Sequence, residues 1–445
     1  MFSTPNSNRK HIGIYGKTNV GKSSLINKIM GQEVSIISPI EGTTTDPVSK
    51  AMELIPVGPV LFIDTAGIGD TTELGKLRFD KTYETLKRVD LGIYVFDVND
   101  IDYNLYEQMR INFKKFNIPY IIVINKIDLV GEEKLNLLKE EFKDSILVST
   151  ETEFGIEELK NKLIKILEEN QYEIPIIGDI LPYNSRVIMV VPIDSEAPKG
   201  RIILPQVQCI RDCLDHGIKS YVVRDTELKE ALEDIKDVDL VITDSQVFKK
   251  VSEIVPSNIE LTSFSILFAR HKGDLDTFVE GVKKIEKLNQ NSKILISESC
   301  THNISHEDIG RFKIPNLLNK KVGFELKYDF VVGHDFPDNI DEYDLVIHCG
   351  ACMINRKGVI NRVNFCKERN ISITNYGVIL AYLTGILDRA INIFENIFDV
   401  IIHELYLLQV YQYIFHTFLL VQDFGVIFYI LNFYLDYIKH FLLIF

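Results

Sequence analysis

Gly16-Lys17-Thr18-Asn19-Val20-Gly21-Lys22-Ser23 has the glycine spacing, lysine and hydroxyl that a bound polyphosphate requires. Gly16 and Gly21 let backbone N–H groups wrap a β-phosphate, Lys22 reaches the β and γ oxygens, and the Ser23 hydroxyl faces Mg2+, with Ser24 beside it opening a helix. Asp64-Thr65-Ala66-Gly67 ends the apolar run 60–63. Asp64 is placed to hold the Mg2+ hydration shell and Gly67 to offer an N–H to the γ-phosphate. Asn125-Lys126-Ile127-Asp128 ends a second apolar run, 121–124. The Asp128 carboxylate can accept from N1–H and the exocyclic amine of guanine, which adenine lacks, so the expected base is guanine. Ser149, after the run 146–148, would close the base pocket.

A second set of reactive side chains lies far downstream: Cys300-Thr301-His302, then His348-Cys349-Gly350-Ala351-Cys352. Three thiols with two imidazoles suit an iron-sulfur cluster, a structural Cys3His zinc, or a redox dithiol at Cys349 and Cys352 with Cys300 a bystander. Spacing leaves all three open. Gly350 is expected to allow a tight turn around a bound group. Cys209 and Cys213, four apart in an apolar helix, read as core, as does Cys366.

Elements must bring these residues together. A chain of 445 residues is too long for one core. Strand-like apolar runs alternate with amphipathic stretches to about residue 390, which predicts an α/β fold: a P-loop domain over 9–171, then two α/β domains with largely parallel sheets over 172–265 and 266–395. Cys300, Cys349 and Cys352 each follow a strand candidate (293–297 and 345–347), so they should converge at the carboxyl edge of a sheet, where such folds bind ligands. The net charge of −14 argues against a nucleic-acid surface, since the richest basic run, 283–287, also carries acid. Six unevenly spaced cysteines suggest a reducing compartment rather than a disulfide framework. No targeting peptide is evident over 1–10, so the expected location is the cytoplasm or the reducing lumen of an anaerobic organelle.

Asn19 in the phosphate loop, Gly42-Thr43-Thr44 as a first switch, and Ile68 where Ras-type enzymes carry a water-orienting glutamine make the first domain resemble TrmE-Era GTPases. That resemblance implies a potassium ion held partly by Asn19, Thr44 as the switch ligand of Mg2+, and slow, potassium-stimulated hydrolysis of GTP to GDP and phosphate. The stretches 200–206, 267–274, 298–302, 348–352 and 374–377, with the phosphate loop, are together similar to the iron-iron hydrogenase maturation GTPases of the HydF type. The resemblance runs from about Asn8 to Ala390. It implies a 4Fe-4S cluster on Cys300, Cys349 and Cys352 and a homodimer formed by extending the middle sheet; His302 or His348, each close to one of these cysteines, is the candidate for a weak fourth ligand. It also implies a scaffold and carrier role: a two-iron subcluster precursor, built with radical S-adenosylmethionine partner enzymes, is delivered to apo iron-iron hydrogenase. The rival reading is a zinc-stabilised regulatory TrmE-Era-like GTPase with an unknown protein or RNA partner.

Residues 396–445 depart from that family in nearly continuous apolar, Phe- and Tyr-rich runs. They read as a non-native continuation, a packing or partner helix, or a membrane hairpin. The runs barely reach spanning length and lack basic flanks, so membrane association is not expected.

Overall fold

The computed structural model describes residues 4–31, 48–67, 81–170, 174–193, 202–299, 309–333 and 335–394. Thr44, Ile68, Cys300, His302 and the apolar tail lie outside them.

The first sheet has the order β2-β3-β1-β4-β5-β6, built from β1 (Lys10–Tyr15), β2 (Val48–Leu54), β3 (Gly58–Asp64), β4 (Leu91–Asp97), β5 (Tyr120–Asn125) and β6 (Ile146–Leu147). All pairings are parallel except β2 with β3. Because successive side chains point to opposite faces, a strand covered on both sides must be apolar at every position. In β1 and β4, Ile12, Ile14, Leu91, Ile93 and Val95 enter one core with the helices Lys22–Met30 and Ile156–Glu169. Tyr15, Tyr94 and Phe96 enter a second core, with Met109 and Phe113 of the helix Tyr103–Lys115. The helix Ile156–Glu169 buries Leu159, Leu163 and Leu167, with Ile164 partly buried beside them. Sequence patterning missed β2, whose half-exposed alternation at the sheet edge gives a weak signal.

The second sheet, β10-β9-β7-β8, is wholly parallel and comprises β7 (Arg186–Val190), β8 (Lys219–Val223), β9 (Leu240–Thr243) and β10 (Glu260–Ser263). The third, β12-β11-β13-β14, is also parallel, with β11 (Lys293–Glu298), β12 (Lys327–Val332), β13 (Leu345–His348) and β14 (Ser372–Asn375). The expected class, a P-loop domain followed by two parallel α/β units, is therefore the class observed. The two later sheets share one continuous hydrophobic core, bridged by Phe264, Ile266, Leu267 and Phe268 of the helix Phe264–Lys272. Cys209, Cys213 and Cys366 are fully buried in this core, and desolvation pushes the Cys213 and Cys366 thiols up to about 12. They are packing residues.

Asn355 ties the third unit to the first. It is buried and caps the helix Arg356–Glu368, its side-chain oxygen accepting from Gly358 N at 3.2 Å. Its amide donates to Arg88 O at 2.8 Å and to the Asp90 carboxylate at 3.4 Å. Asn355→Ala should cost about 2–3 kcal/mol, from a lost cap and a buried carbonyl left without its donor. Asn355→Asp keeps the cap acceptor but turns a carboxylate oxygen toward Arg88 O and the Asp90 carboxylate, so it should be at least as destabilising as alanine. Thermal unfolding midpoints of the three proteins test this, and equal midpoints would refute it.

Candidate nucleotide and cysteine sites

The phosphate loop links β1 to the helix Lys22–Met30. Its glycines are required locally. Gly16 has φ 145°, and a Cβ there would lie 2.4 Å from Val95 O; Gly21 has φ 94°, and a Cβ would meet the Asn125 amide nitrogen at 2.4 Å. Asn19 also adopts a left-handed backbone, φ 65°. Lys22 is buried and donates to Gly16 O at 3.1 Å and Lys17 O at 2.9 Å. Desolvation brings its pKa down to about 8 against the opposing pull of Asp64. The ammonium thus rests on carbonyl oxygens of its own loop.

Ser23 Oγ donates to Asp64 Oδ2 at 2.5 Å. A hydroxyl and a carboxylate from two different motifs meet here, and that hard-oxygen pair fits Mg2+. Gly67 packs against the loop, where an added Cβ would sit 2.6 Å from Thr18 Cα. Ser24 follows Ser23 as the third residue of the helix. Thr44, the expected switch ligand, falls outside the described residues.

The base side is equally ordered. Asn125 is fully buried, donates to Val20 O at 2.9 Å and accepts from Thr150 N at 3.2 Å. Lys126, at φ 65°, donates to Asn19 O and to the Asp97 carboxylate, both at 2.7 Å. Burial works against the Asp97 charge, yet Lys126 and the Asn99 N–H hold its pKa below the usual carboxylate range. Ser149 Oγ donates to Asp128 Oδ1 at 2.5 Å, orienting the carboxylate expected to read guanine. Asp97 and Thr150 belong to this constellation, though no motif singled them out.

At the carboxyl edge of the third sheet, β11 and β13 are neighbours, and Cys349 N donates to Ser297 O at 2.9 Å. Cys349 Sγ accepts from Ser299 N at 3.0 Å and from Ala351 N at 3.5 Å, and shares a hydrogen bond with Ser299 Oγ at 3.0 Å. Burial raises its thiol pKa, while these donors favour the thiolate. Cys352 is exposed. The left-handed residue of the turn is Ala351, φ 55°, and Gly350, expected to make the turn, has no positive φ. A soft sulfur already cradled by two backbone N–H donors and a hydroxyl partner fits an iron-sulfur ligand or thiolate-bound zinc. Cys300 and His302 lie outside the described residues, and among those described no group of three His, Cys, Asp or Glu side chains is gathered for a metal.

His348 is placed otherwise than the ligand role anticipates. It is buried, with Nδ1 2.8 Å from Cys349 O and Nε2 3.0 Å from Arg362 Nη1. Guanidinium can only donate, so Nε2 is the acceptor and Nδ1 carries the proton. Burial, then the Arg362 charge, lowers its pKa to about 3. Both nitrogens are engaged, and the ring orients the Cys349 backbone. Arg362, which carried no sequence signal, also donates to Ser297 Oγ at 3.1 Å and Gly333 O at 2.9 Å.

Comparison with known proteins assigns all three units. Residues 11–126 match the model of a 50S ribosome-binding GTPase, 176–273 the hydrogen maturase F dimerization domain, and 276–393 the hydrogen maturase F tetramerization domain. The chain belongs to the hydrogen maturase F family. Curated relatives match its GTPase domain: GTPase Der of Wolinella succinogenes is 37% identical over 175 residues, covering 37% of each chain. The tRNA modification GTPase MnmE of Christiangramia forsetii is 33% identical over 183 residues, covering 37% of this chain and 38% of that protein. The alignments thus span well under half the length of these relatives. A crystal structure of Aquifex aeolicus Era bound to GDP and aluminium fluoride aligns at 20% identity and TM-score 0.31, over 48% of this chain and 93% of that one. Among the described residues no helix is long and apolar enough to cross a membrane.

Proposed function

We propose that this family member is a GTP-hydrolysing scaffold that holds a 4Fe-4S cluster on Cys300, Cys349 and Cys352, and carries a two-iron precursor to apo iron-iron hydrogenase. The supporting observation is the pairing, in one chain, of a guanine-nucleotide site with a donor-cradled Cys349 at the sheet edge of a hydrogen maturase F domain. When bound, a cluster with three thiolates would supply an iron with an exchangeable position. The chain's own residues do the rest: Ser299 and Ala351 orient Cys349, and Arg362 through His348 fixes the strand end beside it.

In the first domain, Lys22 would leave its carbonyl partners for the β and γ oxygens of GTP, while Ser23, Asp64 and Thr44 hold Mg2+ and Asn19 a potassium ion. An aliphatic residue at position 68 cannot orient the attacking water, so intrinsic turnover should be slow and potassium-stimulated. Residues 87–90, downstream of the Asp64–Gly67 motif, meet Asn355 and Asn361, three and nine positions beyond Cys352. Nucleotide-dependent movement there would reach the cysteine loop and bias partner binding. The partners in this reading are a second copy of the chain, radical S-adenosylmethionine enzymes and the apo hydrogenase. The dimerization and tetramerization matches support self-assembly, and β8 leaves a sheet edge with Tyr221 and Val222 exposed.

The test is anaerobic reconstitution with iron and sulfide. A brown protein with a reducible 4Fe-4S electron paramagnetic resonance signal, and more active in potassium than in sodium, is expected. A colourless protein retaining stoichiometric zinc would leave the regulatory-GTPase reading instead.

A further inference from the structure

Lys272 ends the helix Phe264–Lys272, which bridges the second and third sheets. Its side chain is 5% exposed. The ammonium donates to Ala351 O at 3.1 Å and to Ile354 O at 3.5 Å, gripping the Cys349–Cys352 turn at its left-handed residue and just beyond its end. Arg356, first in the helix that follows the turn, anchors the backbone on either side of the lysine by donating to Arg270 O, His271 O and Gly273 O. Lys272 is therefore built into place from both sides.

Its partners are all neutral. Among the described residues no carboxylate pairs with Lys272, and the charge-bearing groups that favour its ammonium are the sulfurs of Cys352 and Cys349. Across the turn, Arg362 is also buried and donates to Ser297 Oγ, His348 Nε2 and Gly333 O, and its charge is favoured first by the Cys349 sulfur and then by the carboxylates of Glu84 and Asp335. Burying a cation without a counter-ion is costly, because the charge loses its hydration with nothing to replace it. Lys272, buried against a thiol-bearing turn with no carboxylate partner among the described residues, is accounted for if the turn's normal occupant is anionic.

We infer that Lys272 is a positioning residue for the cysteine site: it holds the Cys349–Cys352 turn in register and supplies the positive charge that offsets an anionic metal-thiolate occupant. This inference rests on the scaffold reading above. Its consequence is electrostatic. One-electron reduction of a bound cluster adds a negative charge, which a nearby desolvated ammonium stabilises, so Lys272 raises the reduction potential.

Wild type, Lys272→Met and Lys272→Arg should be reconstituted with ferrous iron and sulfide, then titrated with dithionite as electron donor while the reduced cluster is followed by electron paramagnetic resonance. Iron content and circular dichroism are read on the same samples. The expected result is a midpoint displaced to more negative potential in Lys272→Met and restored toward wild type in Lys272→Arg. A correctly folded Lys272→Met that retains no iron while Lys272→Arg does would support the same assignment. A loaded Lys272→Met with the wild-type midpoint, or both variants losing the cluster alike, would overturn it. Failure of the wild type to take up any cluster would instead sink the scaffold reading, so the two failures are distinguishable.

Discussion

Cys349→Ala should lose the visible absorption and sulfide content of the reconstituted protein, falling to the background of untreated protein. Cys349 Sγ is the thiol with two backbone N–H donors directed at it and a hydroxyl partner beside them, and no other side chain in the turn 349–352 besides Cys352 offers a soft ligand. The substitution also leaves the Ser299 N–H and hydroxyl without their partner, costing about 1–3 kcal/mol. Cys349→Ser separates the two effects, since a hydroxyl retains an acceptor for Ser299 but is too hard a ligand for iron-sulfur assembly. The serine variant is expected to melt near wild type yet remain nearly colourless. Iron and sulfide assays beside thermal melts decide the matter, and a fully brown alanine variant would exclude Cys349 as a ligand.

Asp128→Asn should weaken GTP binding by about 10²- to 10⁴-fold. The carboxylate is expected to accept two hydrogen bonds from guanine, and bonds to a charged group contribute roughly 1.5–3 kcal/mol each. Ser149 holds that carboxylate in place at 2.5 Å, so an asparagine would occupy the same position with one oxygen replaced by an NH2 donor. Xanthine carries a carbonyl where guanine has its exocyclic amine, and that carbonyl suits the new donor. The variant should therefore prefer xanthosine triphosphate, shown by competition between the two nucleotides. Unchanged GTP affinity would mean that Asp128 does not read the base.

Much of this was legible from local chemistry. A phosphate loop announces itself because each residue acts through its own type: glycine for left-handed backbone at Gly21, lysine for charge, serine for a hydroxyl. The buried strands likewise show as apolar runs, since strands covered on both faces have no polar positions to interrupt them. β2 escaped notice because an edge strand with alternating exposure resembles a loop. The turn at 349–352 was expected to place its unusual backbone at Gly350, but packing assigned it to Ala351, whose carbonyl Lys272 holds.

Distant partnerships were not legible in the same way. Lys272 lies 79 residues from Ala351, and Asn355 lies 267 residues from Arg88; no spacing rule connects such pairs. His348 shows the difference most plainly. Beside a cysteine it reads as a metal ligand, yet Arg362 on the following helix takes its acceptor nitrogen. Residue types and short spacings thus established the nucleotide chemistry, the α/β class and the candidate thiolates, because those depend on neighbours within a few positions. The charge around the thiolates and the contact between the GTPase unit and the cysteine turn arise from packing of separate sheets, where burial, rather than order along the chain, selects each side chain's partner.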